Sequence, residues 1–326
     1  MSTAVDIDIR TQLLDWRQKL EATIAASEGS AHLAHLLREV NFTLERMSTG
    51  SYGVCEACQE SIEKERMIAD PLARYCLSCL TTDQLAALQR DLDLAWQIQG
   101  ELLPKQNLHF CSWEVSRHYE AAGPVSGDFC DLVRLDEGDL FFLLGDVSGK
   151  GIAASVLMAH LHAIFRSLIT LGLPMSELVA RTNRVFCEFT ISTYFATLVC
   201  GRANRFGEVE ICNAGHCPSL LVRKEGVTKL EATGLPVGLF CGAEYSIDKV
   251  RLEPGDTLFL YTDGLSEARN GADIEYGTER LIRLLGEHHA LPSQALVGVC
   301  MQDLVTYRAG TPVADDLTIM AIKRVN

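Results

Sequence analysis

Two sets of residues in this sequence have the types and spacing that chemistry requires. The first is a set of thiols. Cys55-Glu-Ala-Cys58 is followed, seventeen residues later, by Cys76-Leu-Ser-Cys79. Each pair fits a tight turn, and together they supply the four sulfurs of a tetrahedral Zn2+ cage. Such a cage is closed and leaves no position for a substrate. Its binding free energy would instead fold a segment too short to hold a core of its own.

The second set is carboxylates at the margins of apolar strands. Leu140-Phe-Phe-Leu-Leu-Gly ends on Asp146, and Val-Ser-Gly-Lys-Gly151 then turns the chain toward a helix. Leu258-Phe-Leu-Tyr-Thr ends on Asp263, Asp315-Asp316 precedes the last apolar run, and Asp128 and Asp131 lie just ahead of Leu132-Val133. A carboxylate beside a buried strand is costly unless it is exposed, paired or bound to a cation. Any one of these acids could be a turn residue or a solvated charge. Four such positions together, among glycines that permit tight backbone turns, suggest oxygen ligands for a hard cation, Mg2+ or Mn2+. The histidines form no comparable cluster, and His216, in a turn, is read as hydrogen-bonding local backbone. Gly145–Gly151 superficially resembles a phosphate loop. Its spacing is too short for G-x-x-x-x-G-K and Gly151 replaces the Ser/Thr, which excludes that class of NTPase.

Different structures must position the two sets. Residues 6–47 read as two helices on the spacing of Leu13, Leu14, Trp16, Leu20 and Ile24, then of Leu33, Leu36, Leu37, Val40, Leu44 and Met47. The break is Ser27–Ser30, with Ser30 as N-cap and Gly50 as the later stop. Residues 82–106 read as one helix closed by Pro104, able to pair with its copy in a second chain. From Leu108 the pattern turns to short β-rich runs: Leu140–Leu144, Phe195–Cys200, Val209–Cys212, Ser219–Val222, Thr257–Tyr261 and Leu317–Ile322. Helical stretches Ala153–Leu171 and Ser176–Phe189 come as a pair, as do Thr278–His288 and Ser293–Tyr307. Grouped strands with paired helices imply an α+β arrangement of sheets covered by helices, not regular βαβ winding.

Composition narrows the function classes. With 48% hydrophobic and 22% charged residues, the chain is ordinary globular protein. The longest strongly apolar runs fall short of the ~20 residues that span a bilayer. No apolar segment follows Met1–Asp6, so no secretory signal is expected and the localisation is read as cytoplasmic, without a membrane. Net charge is −14, which repels phosphate backbones and disfavours nucleic acid. Residues 51–82 hold five acids and three bases, which argues against a DNA-binding finger. The eight cysteines outside the cage, scattered singly, are read as small buried hydrophobes.

Tyr52-Gly-Val-Cys-Glu-Ala-Cys58 and Arg74-Tyr-Cys-Leu-Ser-Cys79 resemble the zinc finger of the DksA/TraR family. Members of that family bind RNA polymerase through a long coiled coil. Only a short hairpin precedes the finger here, so the metal ligands Cys55, Cys58, Cys76 and Cys79 are what is carried over. A transcription regulator that binds RNA polymerase, with an inactive C-terminal scaffold, is the alternative reading of the whole chain.

Gly127-Asp-Phe-Cys-Asp131, Gly145-Asp-Val-Ser-Gly-Lys-Gly151, Asn213-Ala-Gly-His216, Tyr261-Thr-Asp-Gly264 and Asp315-Asp-Leu-Thr318 resemble, in order, the signature of PPM-type metal-dependent Ser/Thr phosphatases of the bacterial SpoIIE/RsbU branch. The resemblance spans residues 97–326. It implies an αββα β-sandwich with two Mn2+ or Mg2+ ions at one end. Asp146 would bridge both ions and the carbonyl of Val147 would bind the second. Asp263 and the Asp315-Asp316 pair would complete the coordination of the first ion, with Asp315 as the direct ligand, and Asp128 would hold water on the metals. Ser148 stands where eukaryotic relatives place a histidine, and their phosphate-gripping arginine has no counterpart. The domain reading is therefore a helical hairpin (1–50), a zinc finger (51–82), a linker helix (83–106) and a phosphatase domain (107–326). The implied substrate is a phosphorylated regulatory protein, a small anti-sigma-factor antagonist, and the implied assembly is a homodimer through the N-terminal and linker helices.

Overall fold

The computed structural model of the protein describes residues 4–26, 31–135, 138–190 and 194–325. The proposed cap at Ser30 lies outside the described residues. The chain divides into two compact units, Met1–Asp91 and Leu92–Asn326.

In the first unit, α1 (Ala4–Ala26) and α2 (Ala31–Thr49) bury Ile9, Leu13 and Val40 between them, flanked by Trp16, Leu20, Leu44 and Met47. Gly50 stops α2 with φ +76°, the left-handed conformation that favours glycine at a helix end. The buried Arg46 then donates to the carbonyl of Ser51 at 2.9 Å and to that of Val54, which ties helix to finger. The finger contains the short α3 (Lys64–Ala69) and a single 3-10 turn, Leu77–Cys79. Its small core is Cys55, Ile62, Met67, Ala73 and Cys76.

The linker helix α4 runs Thr82–Leu102, and the unit boundary falls within it. It ends two residues ahead of Pro104, because the residue before a proline is pushed out of helical geometry.

The second unit has two antiparallel sheets. One orders its strands β1 (Asn107–Phe110), β2 (Trp113–Glu120), β11 (Leu317–Arg324), β10 (Thr257–Tyr261), β7 (Ser219–Arg223) and β8 (Gly226–Leu230). The other orders β3 (Asp128–Arg134), β4 (Leu140–Val147), β5 (Ala196–Ala203), β6 (Glu208–Ala214) and β9 (Asp248–Arg251). Side chains alternate across each strand, so β4 divides its apolar residues between two cores. Leu140, Phe142 and Leu144 meet Leu258, Leu260, Met320 and Ile322 between the sheets. Phe141, Leu143 and Val147 instead pack under α5 (Gly151–Ile169) and α6 (Met175–Phe189). Leu281, Leu285, Leu296 and Leu304 of α8 (Thr278–Glu287) and α9 (Ser293–Arg308) cover the outer face of the other sheet. The short α7 (Asp263–Ser266) follows β10. These layers are the expected αββα sandwich.

Two expectations need correction, and two strands went unforeseen. Helix α5 is long and apolar enough to cross a membrane by length and composition. Its apolar residues are accounted for by the core, since Ala154, Met158, Leu161 and Phe165 are buried against the sheet. Of the eight scattered cysteines, Cys130, Cys200, Cys212 and Cys300 are buried, whereas Cys111 and Cys241 are exposed. The edge strands β8 and β9 carry mixed polar sequences with no apolar run, so periodicity alone did not single them out.

Candidate functional site

The register of the sheets gathers the acids. Asp128 on β3 stands directly opposite Asp146 on β4. Both continue the side of their strands that faces between the sheets, after Cys130 and Leu132 on one and Leu140, Phe142 and Leu144 on the other. They therefore close one end of the inter-sheet core. The opposite sheet answers with two hydroxyls. Thr262, just past β10, and Thr318 of β11 donate to Asp128 Oδ2 at 2.8 and 2.6 Å. The second oxygen, Oδ1, is buried with no hydrogen-bond partner.

Glycines make room for this crowding. A Cβ on Gly127 would stand 2.9 Å from the Val147 carbonyl oxygen and 3.1 Å from Asp146 Oδ1. A Cβ on Gly264 would overlap the backbone carbonyl of Asp316. The Asp-Gly pair at 263–264 is thus a point of close backbone approach as well as a turn.

The electrostatics are those of acids brought together with only partial compensation. Burial first, and then the neighbouring Asp146, push the Asp128 carboxyl well above its usual value, against the two threonine hydrogen bonds. Asp146 is raised to about 7 by burial, with Asp263, Asp315 and Asp316 adding to the push. Asp263 is raised by burial and by Asp315. Like charges held this close favour protonation or a bound cation.

Asp316 plays a different part from its neighbour. Its Oδ1 and Oδ2 accept the backbone N–H groups of Ala122 and Gly127 at 2.8 and 2.9 Å. It fixes the loop that carries Asp128, while Asp315 Oδ1 faces Lys150 Nζ at 3.0 Å. Gln99 of α4 does similar work, and sequence reasoning missed it. Its amide donates to the Ser126 carbonyl at 2.7 Å and accepts the Ser126 N–H at 3.1 Å. A polar residue on an apolar helical stripe was the available signal. Asp131, three residues past Asp128, faces away from the cluster and pairs with Arg166 at 2.5 Å.

His216 is a brace. Its ring bonds Thr197 Oγ1 at 2.8 Å through Nδ1 and the Tyr261 carbonyl at 3.1 Å through Nε2. Burial pushes it down to about 4, so it is neutral, and Nε2 is assigned the proton because a carbonyl can only accept. Ser148 is also structural, accepting the Phe195 N–H at 3.0 Å.

In the first unit the four thiols of Cys55, Cys58, Cys76 and Cys79 lie within 4.8 Å of one another. Burial opposes ionisation of Cys55, yet hydrogen bonds from the backbone of Cys58, Cys76 and Ala57 bring it down to about 6. Cys79 is driven up to about 12, chiefly by Cys58 and Cys76. Four thiols that cannot all ionise alone fit a divalent cation, and the donor set is that of Zn2+. Among the described residues, these four thiols are the one group of three or more potential ligands gathered tightly enough for a single ion. Ligands of two ions about 3.5–4 Å apart need not be so close, because they flank a wider centre.

The profile of the family "Stage II sporulation protein E (SpoIIE)" matches residues 136–325. The chain belongs to the SpoIIE family. Its first unit matches the prokaryotic DksA/TraR C4-type zinc finger over residues 50–84. The protein IcfG of Synechocystis is 28% identical over 72% of the chain and 41% of its own length. The chain thus spans less than half of that relative. The phosphoserine phosphatase RsbU of Bacillus subtilis is 26% identical over 73% of the chain and 71% of its own length. Among solved structures, the SiaA-PP2C domain of Pseudomonas aeruginosa superposes with a TM-score of 0.64 at 18% identity, over 74% of the chain and 98% of that domain. That likeness shows the fold. The SpoIIE match covers β4 through β11, and so includes Asp146, Asp263 and Asp315, with Asp128 eight residues ahead of it.

Proposed function

We propose that this chain is a metal-dependent phosphatase that hydrolyses phosphoserine or phosphothreonine on a regulatory protein. The observation that carries this reading is the gathering of acids from both sheets, Asp128, Asp146, Asp263 and Asp315, in which burial and neighbouring charge push up the carboxyls of Asp128, Asp146 and Asp263. The orphaned Asp128 Oδ1 and the space left by Gly127 fit a pair of hard cations.

Asp146, Asp263 and Asp315 would hold two Mn2+ or Mg2+ ions with the carbonyl of Val147, and Asp128 would orient water at them. Bound there, the ions supply nucleophilic water at neutral pH and neutralise the phosphoryl oxygens. The protein's own part is positioning. Thr262 and Thr318 fix Asp128, Asp316 fixes the loop around Gly127, and Gly264 lets Asp263 approach β11. His216, neutral and held by two partners, transfers no proton in this scheme.

The substrate class is supported by the relative named as a phosphoserine phosphatase. A small anti-sigma-factor antagonist in partner switching is the substrate proposed. The exposed Leu94, Trp96 and Ile98 of α4 support a dimer through the linker helix, which sedimentation at micromolar concentration tests directly.

The enzymatic reading is tested by phosphate release from a phosphoserine protein in Mn2+, comparing the wild-type chain with Asp146→Ala and Asp263→Ala. Hydrolysis by the wild type, abolished in both variants, is expected. Activity retained by either variant contradicts the assignment.

A further inference from the structure

Two divalent ions would balance four ionised aspartates, leaving both charges of a phosphomonoester dianion uncompensated. A site that receives such a dianion needs a further cation. Lys150 is placed for it. Among the described residues, it is the only cation that forms an ion pair with one of Asp128, Asp146, Asp263 and Asp315.

The backbone there is specified by glycine. Gly149 and Gly151 take φ of +92° and +74°, and Lys150 between them is extended at the start of α5. Its Nζ donates to the Ala314 carbonyl at 2.8 Å and lies 3.0 Å from Asp315 Oδ1. An ammonium has three donors, so one is left over. The side chain is 62% exposed and free to change partner. It borders a cleft of about 290 Å3 that Pro124, Val125, Val313 and Asp316 also line. Asp315 is its present partner and the proposed direct ligand of an ion. Once that carboxylate is committed to the ion, the ammonium needs another anion.

We propose that Lys150 leaves Asp315 and grips the phosphoryl oxygens of the substrate. This deepens the phosphatase reading and rests on it. Lys150 thereby supplies the positive charge for which the sequence has no arginine in the expected place. A compact ammonium on a flexible stem suits that exchange of partners.

The test uses the full chain saturated with Mg2+ and three forms: wild type, Lys150→Met and Lys150→Arg. Binding of inorganic phosphate is measured by calorimetry, which needs no turnover. Mg2+ half-saturation and p-nitrophenyl phosphate hydrolysis are measured beside it. Lys150→Met should weaken phosphate binding about 10- to 100-fold, the range of one hydrogen bond to a charged group. Lys150→Arg should recover most of it, and Lys150→Met should bind Mg2+ no more weakly than the wild type, since the competitor for Asp315 is gone. Wild-type phosphate affinity in Lys150→Met overturns the proposal. So does a parallel loss of Mg2+ affinity, since Lys150 would then act through Asp315. A wild-type chain that binds phosphate through Lys150 yet hydrolyses nothing supports this role and contradicts the phosphatase reading instead.

Discussion

Asp128 and Thr318 join the two sheets at their acidic end: the threonine of β11 donates to Asp128 Oδ2 at 2.6 Å, while Oδ1 of the same carboxylate is left without a partner. One oxygen is held by the fold, and the other is available to function. The contact depends on parity. Thr318 follows Met320 and Ile322 on the inter-sheet face, and Asp128 follows Cys130 and Leu132.

Thr318→Val should therefore loosen Asp128 without removing a charge. Loss of one hydrogen bond to a carboxylate is worth about 1.5–3 kcal/mol. A fall in kcat/KM of at least about tenfold is expected, with the metal requirement intact. Steady-state kinetics with p-nitrophenyl phosphate in Mn2+ would measure it. Unchanged kinetics would mean that Asp128 needs no anchor.

The raised carboxyls predict an unusual pH response of the metal-free chain. Asp146 moves from 3.8 to about 7 on folding, so between those values the folded chain holds a proton that the unfolded chain has lost. Its contribution to stability is present below about pH 4 and falls as pH rises toward 7. In EDTA the melting temperature should drop from pH 5 to pH 7, and the drop should be smaller in Asp146→Asn. Added Mg2+ should stabilise more at pH 7 than at pH 5. Circular dichroism melts provide the readout, and equal drops in the two chains would count against this electrostatic account.

Gly264→Ala tests the close approach of α7 and β11. The added methyl meets the backbone carbonyl of Asp316, which cannot swing aside as a side chain would. Overpacking of this kind costs about 1–3 kcal/mol, measurable as a lower urea midpoint, and should displace Asp263 enough to lower activity. A wild-type midpoint with wild-type activity would show that the strand ends relax freely.

The finger should carry one zinc per chain. Elemental analysis of the purified protein should find it, and Cys58→Ser should lose it. A strong chelator should expose the thiols of Cys55 and Cys76, buried in the structure, to a thiol reagent. Thiols that stay protected after complete zinc removal would show that the small apolar core suffices alone.

Much of this architecture was legible because β4 and β10 are apolar runs that lead into acids, and β11 is one that follows a pair of them. The runs set the strands, and the acids mark where burial stops. Strands in groups and helices in pairs indicated sheets covered by helices, and the αββα order of the layers came from the resemblance to the SpoIIE/RsbU branch. Sequence could not resolve the two members of Asp315-Asp316. Adjacent residues on an extended chain point opposite ways, and only the folded loop shows Asp316 turned onto the backbone of Ala122 and Gly127. Gln99 shows in the sequence only as a polar residue on an apolar helical stripe, because its partner Ser126 is 27 residues away. The roles of His216 and Ser148 likewise emerge from long-range bonds to Tyr261 and Phe195.

The most direct measurement is anomalous scattering at the manganese edge from a crystal of the protein grown in Mn2+. Two peaks roughly 3.5–4 Å apart, flanked by Asp146, Asp263 and Asp315 and within water distance of Asp128, are expected. No peak at these acids, in crystals whose cysteine cage holds its zinc, would contradict the binuclear centre and the hydrolytic function built on it.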